Sequence, residues 1–140
     1  LNIYIYNNSL YCGGWNIMGD ESTWDGTWLD SDNIESGKWH YVTLVLNGAT
    51  TVQSDAFKCY LDGQLISTGE GSQLWTHNGD ISIGSIAADS YFHDGRIPRN
   101  ENYFGGTINE ITLWNDALTA EEIDYLYESK PISNQQNIFS

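Results

Sequence analysis

The sequence predicts an all-β fold, an antiparallel β-sandwich with one short C-terminal helix. Three observations predict it. Apolar and polar residues alternate with a period of two through most of the chain, the pattern of half-buried strands. Pairs that tolerate the positive φ of tight hairpin turns, Asn7-Asn8 and Asp62-Gly63, separate such runs. A single helix-start signature, Thr119-Ala120-Glu121-Glu122, comes only after the last strand-like run.

Residues 2–6 alternate, Asn7-Asn8 interrupts, and 9–12 resume, which reads as a hairpin. A further short strand fits 14–18. Residues 19–37 are acidic and rich in glycine and carry Trp24 and Trp28, so they read as a long irregular excursion. Loops of that length inside compact domains are often functional. Residues 38–46 form the strongest strand, with Trp39, Tyr41 and Val45 on one face and Val42, Leu44 and Leu46 on the other. Apolar groups on both faces predict a central strand, with His40 on its face and a core around Trp39, Val42, Leu44 and Trp114. Asp62-Gly63 joins 56–61 to 64–68 in the clearest hairpin. Residues 80–84 give a short strand with Ile81 and Ile83, 85–105 a second long loop, and 106–114 the last strand, with Ile108, Ile111, Leu113 and Trp114. The helix then opens on a capping box, with Leu118, Ile123, Leu126 and Tyr127 at helical spacing and Pro131 as its stop. This reading gives about eight strands. It places one domain at 1–130 and a polar tail at 131–140.

The 140 residues suit one domain with one core. Lys and Arg number 5 against 19 Asp and Glu, a net charge of -14. Such a surface repels phosphate, which argues against nucleic acid and anionic membranes as partners. Apolar runs fall far short of the ~20 residues that membrane insertion by a helix requires. Cys12 and Cys59 lack metal or redox spacing and permit one disulfide; the plain alternative is two small buried side chains. The chain opens on Leu1-Asn2-Ile3-Tyr4 without an export signal, and the expectation is a mature product or a piece of a longer multidomain chain.

An ordered series of fragments carries a family likeness. It runs Gly37-Lys38-Trp39-His40-Tyr41-Val42-Thr43-Leu44-Val45, Tyr60-Leu61-Asp62-Gly63 and Ile81-Ser82-Ile83-Gly84. It continues through Phe104-Gly105-Gly106-Thr107-Ile108-Asn109-Glu110-Ile111 and Leu113-Trp114-Asn115 to Ala117-Leu118-Thr119-Ala120-Glu121-Glu122-Ile123. The series resembles the laminin-G-like, concanavalin A-like jelly roll of secreted and surface proteins. The resemblance implies a jelly-roll sandwich, a location outside the cell or at its surface, and a calcium site at a rim. It departs from the family at the front, where relatives usually carry more strands before the stretch resembling 1–18. Fold by itself does not give function.

Three chemistries compete. Sugars stack C–H patches on aromatic rings and hydrogen-bond planar polar groups. Trp24, Trp28, Trp75 and Tyr91, with Asp25 and Asn102, are the candidate ligand-binding residues; the plain alternative is that the rings pin loops to the sandwich. Calcium, the candidate cofactor, wants several oxygen ligands, and Asp89, Asp94 and Asn100 are the candidates for it; the alternative is a solvated acidic loop. Catalysis is disfavoured, because glycoside hydrolysis needs two placed carboxyls and no Glu-x-Asp-x-Glu run is present. Arg96 and Arg99 read as local charge compensation. The sequence thus points to a non-catalytic extracellular module that binds glycan or a cell-surface protein through loops 19–37 and 85–105. The rivals are a ligandless structural spacer and a fragment of a glycoside-active enzyme.

Overall fold

Two antiparallel three-stranded sheets face one another, and each is built from a continuous stretch of chain. The structure is a computed structural model that describes residues 1–18, 24–74, 81–85, 93 and 102–129, with backbone alone at 24–26 and 32. The first sheet is a meander of β1 (Asn2–Tyr6), β2 (Ser9–Ile17) and β3 (Trp24–Asn33). The second is a meander of β4 (Val42–Leu46), β5 (Gln53–Leu61) and β6 (Gln64–Gly71). The helix α1 (Ala120–Ser129) covers the outer face of the second sheet, where Ile123 packs with Val45 and Tyr60 and draws in Leu118.

Both expected hairpin turns are present. Asn7 and Asn8 take φ of 49° and 64°, and Asp62 and Gly63 take 51° and 80°. Such paired positive values match the right-handed twist of the flanking strands. The capping box also forms. The Glu122 amide donates to Thr119 Oγ1 at 3.2 Å, and the Thr119 amide donates to Glu122 Oε2 at 2.8 Å.

The core lies between the sheets. Leu10, Cys12, Leu29, Phe57 and Cys59 are buried there, with Ile34, Val42, Leu44, Leu46, Leu61 and Ile66 packed around them. Cys12 of β2 and Cys59 of β5 are disulfide-bonded and fully buried, so the bridge crosses from one sheet to the other. A buried polar chain makes a second tie. Asn16 donates from Nδ2 to Thr27 Oγ1 at 3.0 Å and accepts the Ser72 amide at 3.1 Å. The Thr27 hydroxyl donates to the Glu70 carbonyl at 2.9 Å. Asn16 is fully buried, and these bonds make its burial tolerable.

Four expectations are corrected. The excursion at 19–37 contains β3, because Thr27 and Leu29 alternate with outward groups and the strand pairs along β2. At Gly13 that pairing leaves no room for a side chain, since a Cβ would lie 2.0 Å from the Thr27 carbonyl oxygen. The strand expected at 38–46 starts only at Val42; Trp39, before it, is 40% exposed, and His40 bonds to a neighbouring turn. Trp114 is 54% exposed and outside the core, while Val42 and Leu44 do pack on it. Residues 106–114 and 81–84 form no strand; beside them, Ser85 bridges Tyr103, and the Phe104 amide donates to the Gly84 carbonyl at 2.8 Å. Their alternation suits pairing, but the first 71 residues supply all six described strands, and no ladder among the described residues takes these segments up. The tail at 131–140 lies outside the described residues.

Candidate functional site

The outer face of the first sheet gathers aromatic rings. A two-residue turn fixes the register of β1 on β2, which sets Tyr4 opposite Tyr11. Leu10, Cys12 and Leu29 point inward, so alternation turns Tyr11, Gly13 and Trp28 outward. Gly13 sits opposite Trp28 and offers no side chain, so the indole reaches toward β1. Tyr4 and Tyr11 stack with centroids 5.3 Å apart and planes 11° apart, and Trp28 meets Tyr4 edge-on at 5.9 Å.

His93, from the second long loop, completes the group. Its ring stacks on Tyr11 with centroids 3.9 Å apart and planes 9° apart. Its backbone N–H donates to the Tyr4 hydroxyl at 2.9 Å, and that hydroxyl meets His93 Nδ1 at 2.8 Å. The phenol can both donate and accept, and the direction of its bond to Nδ1 follows the His93 tautomer. Tyr6 flanks the stack, 5.6 Å from His93. Tyr4 is buried, Tyr11 and Trp28 are half-buried, and Tyr6 is exposed. The face combines apolar ring surface with phenol and carboxylate acceptors. Asp30, opposite Tyr11 on β3 and exposed, supplies such an acceptor.

The expected ligand residues fare differently. Trp28 belongs to this face, on a strand rather than in a rim loop. Trp24 and Asp25 lie on β3 opposite Ile17 and Asn16, and their side chains are outside the description. Asn102 is exposed beside the Ser85–Tyr103 bridge. Trp75, Tyr91, Asp89, Asp94, Asn100, Arg96 and Arg99 lie outside the described residues. Tyr4, Tyr6, Tyr11 and His93 were not among the expected residues. The hairpin register contained the signal for three of them, because a two-residue turn at Asn7-Asn8 sets Tyr4 against Tyr11 and leaves Tyr6 on the same face. Among the described residues no group of three His, Cys, Asp or Glu side chains is placed to hold a metal.

A laminin G-type family model, described as the concanavalin A-like lectin/glucanases superfamily, matches residues 2–124. The chain belongs to that superfamily. The family assignment agrees with the facing antiparallel sheets and the late helix. Among solved structures, the chain is similar to an S-layer domain-containing protein from Clostridium thermocellum ATCC 27405, at 17% identity and a TM-score of 0.46. The likeness covers 85% of this chain and 51% of that one, so the chain spans about half its length. No curated protein matches the chain.

Proposed function

We propose that this laminin G-type domain is a non-catalytic recognition module, exposed at the cell surface or outside the cell, that binds carbohydrate or a surface protein. The aromatic face of Tyr4, Tyr6, Tyr11, Trp28 and His93 carries the proposal. It moves the binding surface from the rim loops to the sheet, with one loop contributing His93. The inter-sheet disulfide supports the location, because such bonds persist in oxidising compartments. The non-catalytic reading rests on the absence of a Glu-x-Asp-x-Glu run. Calcium enters the proposal as an ion ordering the second long loop through Asp89, Asp94 and Asn100, on the oxygen-rich composition of that loop.

A glycan array probed with the purified chain tests the reading. Binding that disappears in Tyr11→Ala and Trp28→Ala, with folding retained, supports it. Binding that survives both substitutions removes the aromatic face as the site. A second reading, a structural module packed into a larger surface assembly, is favoured by a different observation. Ile108, Ile111, Leu113 and Trp114 are 44% to 79% exposed, an apolar run that a neighbouring polypeptide would bury.

A further inference from the structure

His40 stands between two acceptors. Its Nδ1 is 2.8 Å from Asp62 Oδ2, and its Nε2 is 2.8 Å from the Glu35 carbonyl oxygen. An ionised carboxylate and a peptide carbonyl only accept, and a neutral imidazole has one N–H to give. Only the imidazolium satisfies both contacts at once. Asp62 is itself held in place, because its Oδ1 accepts the Tyr41 amide at 2.8 Å and its own amide donates to the Tyr41 carbonyl at 2.8 Å.

We propose that His40 is a proton-controlled staple that, when doubly protonated, fastens the connection between the two sheets to the β5–β6 turn. The connection is residues 34–41, the stretch of chain that leads from β3 to β4. Loss of the proton frees one end of the staple and loosens the connection from the turn.

The surrounding charges favour the proton. Asp62 comes from the β5–β6 turn, and Glu35 from the connection itself. Asp124 of α1 lies beside Gly63, with Oδ1 3.0 Å from where a Cβ would stand. The ammonium of Lys38, two residues before His40, is engaged by Glu35 at 2.8 Å. Burial pushes the His40 pKa down, but the bonds to Asp62 and the Glu35 carbonyl and the pull of both carboxylates outweigh it, so the net displacement is upward from 6.5. A raised value means the staple's stability is complete below the unfolded value of about 6.5 and is lost as pH rises through the folded one.

The test is an NMR titration of the full chain, with amide exchange at Tyr41 and Asp62. The His40 midpoint is expected above that of a free histidine, and Asp62→Asn shifts it downward. That variant keeps a folded hairpin, because Asn-Gly suits the same turn. Protection of the Tyr41 and Asp62 amides is expected to fall several-fold across the midpoint, beyond base-catalysed exchange, and to show no step in His40→Gln. A His40 midpoint at or below the free value overturns the proposal. So does level protection across the midpoint, or the same step in His40→Gln.

Discussion

Removing the inter-sheet bridge, by Cys12→Ala with Cys59→Ala, tests the architecture most directly. Residues 2–33 build one sheet and 42–71 the other, so within that span the sheets are joined covalently only by 34–41 and the disulfide. The bridge closes a loop with a sequence separation of 47. Loop-closure entropy for a loop of that length gives about 4 kcal/mol of stabilisation by restricting the unfolded chain. For a domain of this size that corresponds to a fall in Tm on the order of 10–15 °C. Thermal melts of the oxidised wild type and the double variant, followed by far-ultraviolet dichroism, supply the number. A loss within 2–3 °C or so of zero, against that scale, would refute the reasoning, because it would mean the unfolded chain gains little freedom when the sheets are uncoupled.

Further outcomes follow from single side chains. Asn16→Ala strands the buried Ser72 amide and is expected to cost about 1–3 kcal/mol in urea denaturation. Thr119→Ala removes the helix cap and costs about 1 kcal/mol, read from the same denaturation curve. Bonds from the Thr119 backbone and hydroxyl hold the Glu122 carboxyl below its ordinary range, so the cap contributes above pH 4.5 and fades as pH falls through the lowered value. An acid titration of helix signal that is identical in Glu122→Gln and wild type would count against this. Chelator-sensitive thermal stability is the expected sign of calcium in the second long loop, and equal melts with and without chelator remove the ion from the proposal.

The features legible in the sequence were those set by local chemistry. Asn7-Asn8, Asp62-Gly63 and the Thr119–Glu122 box each act over a few residues, and each forms as expected. β3 was hidden because its aspartates, Ser31 and Gly26 resemble a loop in sequence, while Leu29 is its single strong inward signal. The segments 81–84 and 106–114 show the reverse. Alternation reports what a stretch can pair with, and nothing in a single chain's pattern says whether a ladder position is open to it. Cys12 and Cys59 left their pairing open because spacing does not say which residues two sheets bring face to face. The aromatic face escaped notice for a related reason: its members are scattered over β1, β2, β3 and a loop, and only the register collects them.

That the sheets are consecutive in the chain has a consequence for how the molecule meets proteases. A cut near Ser36-Gly37, where the backbone is exposed and Gly37 takes φ of 80°, severs the connection without breaking a ladder. The two pieces stay latched through Cys12 and Cys59. Nicked molecules should therefore run as one species without reductant and as two with it, a form in which the bridged domain survives an attack that would dismantle an unbridged one.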